Sequence, residues 1–318
     1  EELAGDWANK EIDLESLMFV DDEEADAPAV PSDATPEPAD DAAYANWKRT
    51  NVEAQRQDGF NLVYIRVERG DVYANQWSQL GDIARKFAGG RARLDQQQNL
   101  VYRWVRDESL FDMYQALGAI GFSAAGRETI RDVVTCPGTD SCKLGITSSM
   151  GLNKALGETL DGMGDLDPLV EKMHIKASGC PNSCGQHHIA SMGFHGGAKK
   201  LNGILTPHYE ILLGGRISEE QAVFGTSVIK IPAKNAPAAM KLTLEDFKAG
   251  KQGDEQFGEY FDRKGKTHFR DLLTPLKDLP EIEKSPESYI DYGSTERFSL
   301  EDRGQGECAG AVTDMITD

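Results

Sequence analysis

Residues 135–149, TCPGTDSCKLGITSS, and residues 175–196, IKASGCPNSCGQHHIASMGFHG, decide how this chain is read. Cys136 and Cys142 form a C-x5-C pair, Cys180 and Cys184 form a C-x3-C pair, and 37 residues separate the two. Each pair sits on a turn bearing Pro and Gly, so two loops can bring four thiolates together. A fifth cysteine, Cys308, stands alone in a polar C-terminal stretch. Disulfides require an oxidising compartment, and no signal peptide is expected from the sequence. Structural zinc usually takes pairs spaced by two to four residues, narrower than x5. A dithiol switch normally shows C-x-x-C, which is absent. An iron–sulfur cluster accepts varied spacings and suits turns whose backbone N–H groups can reach sulfur. On spacing alone the cluster leads, with zinc and the thiol uses still open.

Working outward, FNLVYIRV at residues 60–67 predicts a strand, and Trp77, Leu80, Ile83, Ala84 and Phe87 trace a helical stripe over 76–88. A second strand fits 99–105, and a second helix fits 109–120 with Ser109 as N-cap. Strand–helix–strand–helix predicts half of a ferredoxin-like α+β unit. Past Gly126 the texture turns to Gly-rich loops. A helix is expected over 149–160, with short strands over 174–177, 209–213 and 227–231 and helices over 236–247 and 267–273. The GKT at Gly265–Thr267 lacks the upstream Gly of a phosphate loop, because position 260 is Tyr. No G-x-G-x-x-G follows a strand, so no flavin or nicotinamide domain is expected.

The chain has 318 residues, 39% hydrophobic and 27% charged, enough for one large or two ordinary domains. No run approaches 18 apolar residues, so no membrane span is expected. The net charge of −19 argues against a nucleic-acid binder that neutralises phosphates. That charge is uneven. Residues 1–43 hold 15 Asp and Glu against one Lys, a balance of −14, leaving −5 for the other 275. Residues 21–43 are acidic, rich in Pro and Ala and without aromatics, which predicts a flexible linker. The expected organisation is a leader at 1–43, a ferredoxin-like half domain at 44–124, a cysteine-bearing domain at 125–276 and a polar tail at 277–318. The chain start is expected to lie within a longer protein.

The two cysteine stretches resemble the cluster signature of the sirohaem nitrite and sulfite reductases. The resemblance continues upstream through GFNLVYIRVERG (59–70) and GGRARLDQQQNLVYRWV (89–105), and downstream to YEILLGG (209–215). It covers roughly residues 44–235 and is similar to the C-terminal half of that family. It implies an α+β fold in which a ferredoxin-like half repeat precedes a sirohaem and iron–sulfur α/β domain. It also implies that Cys136, Cys142, Cys180 and Cys184 ligate one [4Fe–4S] cluster, with Cys184 bridging to sirohaem iron. The implied activity is six-electron reduction of nitrite to ammonia or of sulfite to sulfide, in the cytoplasm.

Sirohaem carries many carboxylates, so its bed should be rich in donors. The candidates are Arg91, Arg93, Gln97 and Asn99 on the GGRARLDQQQN turn, with Lys143, Asn182, Gln186 and Arg216; Gly214 and Gly215 are expected to let backbone approach the macrocycle. His187 and His188 are expected to pack near the cluster loop, with proton supply as the rival role. The cations that clamp an anionic substrate come largely from the family's first half. An N-terminal half or a partner subunit is therefore expected to complete the site, and ferredoxin or a reductase subunit to supply electrons. Two other readings keep these cysteines: a precorrin-3B synthase-like enzyme, and a non-catalytic iron–sulfur electron-transfer subunit.

Overall fold

The computed structural model describes residues 26–218, 221–301 and a short strand at 316–317. The first 25 residues of the leader, and Cys308, lie outside the described residues. The fold is α+β. A first unit contains α1 (Ala42–Asn51), β1 (Val52–Ala54), β2 (Phe60–Ile65), α2 (Ala74–Phe87), β3 (Arg93–Leu94), β4 (Leu100–Arg106) and α3 (Leu110–Ala119). Its four strands pair antiparallel in the order β1-β2-β4-β3. Alternation along β2 buries Asn61, Val63 and Ile65, and the stripe of α2 buries Leu80, Ile83, Ala84 and Phe87. Trp47 and Tyr44 of α1 stack against each other, and both rings meet Tyr114 at a tilt. This is the ferredoxin-like half domain. Ser109 precedes α3 without a side-chain cap bond.

The second unit is built on a mixed sheet. Its strands are β5 (Val134–Thr135), β6 (Ile175–Ser178), β7 (Met192–Leu201), β8 (Ile204–Leu213) and β11 (Thr226–Pro232). A small hairpin of β9 (Arg216–Ile217) and β10 (Ala222–Val223) stands apart, and β12 (Ile316–Thr317) pairs with β7. The main order is β11-β8-β7-β6-β5; β5, β6 and β7 run parallel, while β7, β8 and β11 are antiparallel. The crossover from β5 to β6 carries α4 (Ser149–Gly162) and α5 (Pro168–Glu171), and α6 (Ala236–Gly250) and α7 (Phe257–Leu273) pack behind. Strand β7 was not expected, because GFHGG reads as loop. Its glycines answer to packing: a Cβ on Gly196 would collide with Thr147 Oγ1 and the Gly179 carbonyl.

Two segments differ from expectation. Residues 26–41, expected as a free linker, run along the first unit. Asp26 pairs with Arg91 at 2.6 Å, the Pro28 carbonyl accepts from Arg106 Nε, and Glu37 binds Tyr44 and Lys48. Scattered acids thus find cations on a folded surface. The described part of the expected tail also packs. Tyr289 and Asp291 are buried, and Phe298 joins Ile146, Cys180 and Ala198 in a small apolar cluster. Among the described residues, no helix is long and apolar enough to cross a membrane.

Candidate metal centre

Topology brings the cysteines together. Strands β5 and β6 are adjacent and parallel, with Thr135 opposite Ala177. Cys136 follows the end of β5 by one residue and Cys180 follows the end of β6 by two. Both loops therefore leave the sheet at one edge, the carboxyl ends of the strands, where open α/β sheets place their ligands. The Cys136 N–H continues the ladder to the Ala177 carbonyl at 3.2 Å. Pro137 then starts a tight turn that returns the Cys142 N–H to the Gly138 carbonyl at 3.0 Å.

The two loops touch through glycine. A Cβ on Gly179 would lie 2.6 Å from the Thr147 carbonyl oxygen and 2.7 Å from Gly138 Cα. One on Gly145 would lie 2.8 Å from Gly138 C. Backbone therefore lies directly on backbone between the cysteine pairs. The Gly179 N–H donates to Cys136 Sγ across that contact at 3.1 Å. Ser149, at the start of α4, donates its hydroxyl to the Cys136 carbonyl at 2.6 Å and lies 3.4 Å from Cys136 Sγ.

All four described cysteines are free; Cys136 and Cys180 are buried, Cys142 is half-buried and Cys184 is exposed. Burial pushes the Cys180 thiol up, the Asn182 backbone N–H opposes this, and charge on Cys136, Cys184 and Cys142 adds to the rise. The other three sulfurs are therefore within electrostatic reach of Cys180. Among the described residues, no three His, Cys, Asp or Glu side chains converge as on a single metal ion. Four thiolates on two adjoining loops are a donor set that an iron–sulfur cluster takes. The glycine cradle and the two N–H donors to sulfur fit such a group as well.

A cleft of about 490 Å³ adjoins the second loop. It gathers Gln97, Gln186, Gly215 and Arg216, four of the residues expected around the cofactor, and adds Lys172, His174, Lys176 and Glu128, which were not expected. Lys176 is buried on β6, with Nζ donating to Gln97 Oε1 at 2.8 Å and Gln186 Oε1 at 3.2 Å. Burial pulls its pKa down, against the pull of Glu128, Asp132 and Asp95. Its signal in the sequence is a charge inside a strand whose four residues are all buried.

The other expected residues go elsewhere. Asn99 is wholly buried; its amide donates to Asp132 at 2.9 Å and accepts from the Val67 N–H at 2.9 Å. Arg91 faces Asp26, Arg93 lies on the edge strand β3, and Lys143 and Asn182 are exposed. Gly214 and Gly215 were expected to admit a macrocycle, but the close approach is to protein. A Cβ on Gly214 would lie 2.5 Å from the Phe261 ring, and one on Gly215 the same distance from the Ala190 carbonyl oxygen. His187 is fully buried with Nδ1 2.9 Å from Ser178 Oγ, and His188 binds Ser183. The two rings stack at 4.2 Å, and burial pushes His187 down to about 3, so it stays neutral.

Residues 126–279 match the nitrite and sulphite reductase 4Fe-4S domain, and residues 53–120 match the nitrite/sulfite reductase ferredoxin-like half domain. The assimilatory ferredoxin-dependent nitrite reductase of Haloferax mediterranei is 24% identical over 70% of this chain and 38% of its own length. The ferredoxin–nitrite reductase of Synechococcus elongatus is 25% identical over 64% of this chain and 40% of its own. The chain thus spans about two fifths of these relatives. Among solved structures, NirA of Mycobacterium tuberculosis shares the fold with a TM-score of 0.59 at 21% identity, over 76% of this chain and 43% of that one.

Proposed function

Since this chain belongs to the nitrite and sulphite reductase family, we propose that it is the cofactor-bearing C-terminal half of a sirohaem-dependent nitrite or sulfite reductase. The observation that carries this is that the two loops bearing four free cysteines leave the sheet side by side, from the carboxyl ends of the adjacent strands β5 and β6. Cys136, Cys142, Cys180 and Cys184 would hold the [4Fe–4S] cluster, and Cys184, the exposed one of the four, would be the thiolate shared with the sirohaem site. When bound, the paired cofactors supply stepwise electrons for a six-electron reduction.

The chain's own residues hold and orient. Lys176 and Arg216 offer cationic donors to the carboxylates of sirohaem, while Gln97 and Gln186 fix the Lys176 ammonium between them. Gly179 and Asn182 donate backbone N–H groups to the Cys136 and Cys180 sulfurs, which stabilises reduced clusters. Phe298 excludes water beside Cys180. The two relatives described above are named ferredoxin-dependent nitrite reductases, which favours nitrite as substrate and ferredoxin as donor. The cations that bind the substrate anion would come from an N-terminal half.

Anaerobic purification of the chain, with iron, acid-labile sulfide and zinc measured per protein, tests the metal centre. Iron and sulfide in equal amounts are expected. Stoichiometric zinc without sulfide would sink the reading. Completed with the N-terminal half and sirohaem, the protein should turn over nitrite faster than sulfite.

A further inference from the structure

Gln98 was not among the residues expected at the site, yet it reaches the cysteine loops. Its side-chain Nε2 donates to the Thr135 carbonyl at 2.8 Å, and its Oε1 accepts from the Thr135 N–H at 3.3 Å. Thr135 ends β5, the outermost strand of its sheet, and directly precedes Cys136. On its inner edge this stretch pairs with β6, where the Cys136 N–H bonds the Ala177 carbonyl. On the outer edge the amide of Gln98 presents a donor and an acceptor together, as an added strand would.

The arrangement is held on several sides. Gln98 sits in the left-handed region at φ 67°, which a side-chain-bearing residue keeps only when its surroundings enforce it. Its neighbours cross the same boundary, Gln97 to Lys176 and Asn99 to Asp132, so the turn cannot swing away. Gly70, at φ 70°, leaves room for it; a Cβ there would lie 3.3 Å from Gln98 Cβ.

We propose that Gln98 is a positioning residue for Cys136, through which the ferredoxin-like half domain sets the place of one cluster ligand. The inference rests on the reading of Cys136 as a ligand given above. Thr135 is 1% exposed, so without Gln98 its N–H and carbonyl lose their partners out of reach of bulk water. The backbone of Cys136 then keeps only its inner ladder bond and the Ser149 hydroxyl.

The test uses the full chain with Gln98→Met, which keeps the volume and loses both bonds. Gln98→Glu serves as the second variant, keeping the shape and replacing the donor with an acceptor. Leu80→Ala is the control, destabilising the first domain's core far from the turn. In metal-free protein, alkylation of each cysteine is timed by mass spectrometry. Cys136 should react about tenfold faster in both Gln98 variants, the scale of one lost buried hydrogen bond, with Cys180 unchanged. In iron-reconstituted protein the midpoint potential and EPR signal should shift in the Gln98 variants and not in Leu80→Ala. Wild-type rates and potentials in both Gln98 variants, or the same changes in Leu80→Ala, would overturn the proposal. If wild-type protein took up no iron while Cys136 still became reactive, the cluster reading would fail and the positioning would stand.

Discussion

In the first domain, Tyr44, Trp47, Phe111 and Tyr114 meet ring to ring, with centroids 5.0 to 6.3 Å apart. At the cysteine end of the second domain, Gly138, Gly145 and Gly179 meet backbone to backbone. One region is filled by side-chain volume that can rearrange; the other is closed by atoms with no side chain to yield. The contrast teaches where each domain tolerates change. A core of rings and aliphatics loses stability by degrees as volume is removed. A backbone contact has no such gradation, because a single methyl forces two loops apart.

The sharpest way to break that contrast is Gly179→Ala. We expect a cost above about 4 kcal/mol and no retained iron, since the new Cβ meets backbone on both sides. Iron content and a thermal melt would check it, and a well-folded, iron-loaded variant would void the distinction. Leu80→Ala in the first core should cost about 3 kcal/mol while iron per folded protein stays unchanged. The same melt and iron assay apply.

A third measurement separates burial from charge. Burial pushes His208 on β8 down to about 4, whereas an unfolded chain protonates it near the usual 6.5. Stability from this neutral histidine is present above 6.5 and is lost as pH falls toward 4. The slope is about 1.4 kcal/mol per pH unit. His208→Phe should flatten the acid side of the stability profile by that amount. A profile parallel to wild type would refute the assignment. Lys176→Met should change stability least, by less than about 1 kcal/mol, because an apolar residue of like size relieves a buried charge. It should nonetheless weaken sirohaem retention, read by absorbance after gel filtration of the completed enzyme. Unchanged retention would remove Lys176 from the cofactor bed.

The same contrast explains what could be read in advance. Side-chain periodicity announced β2, α2, β4 and α3 nearly to their ends, because their buried faces repeat at the spacing of the element. The cysteine spacing marked the family as a resemblance, and residues 126–279 match its 4Fe-4S domain. Strand β7 stayed hidden, since Gly196 serves contacts with Gly179 and Thr147, which lie 17 and 49 residues back along the chain. Gln97 and Asn99 were expected to grip the cofactor, and Gln98 between them was not. In the structure each fastens the first domain to a different point of the second, at Lys176, Thr135 and Asp132. Nothing local distinguishes an amide that grips a ligand from one that grips a neighbouring strand.

The segment carrying Phe298 has a consequence for how a cluster held here would age in air. It packs against Cys180 while Cys184 is exposed, so a diffusing oxidant reaches Cys184 more readily than Cys180. On the reading proposed above, oxidation would begin at Cys184, the most exposed of the four sulfurs. Assembly order would then be a matter of survival: a chain loaded with iron before sirohaem would pass through an interval in which its most useful ligand is also its most vulnerable.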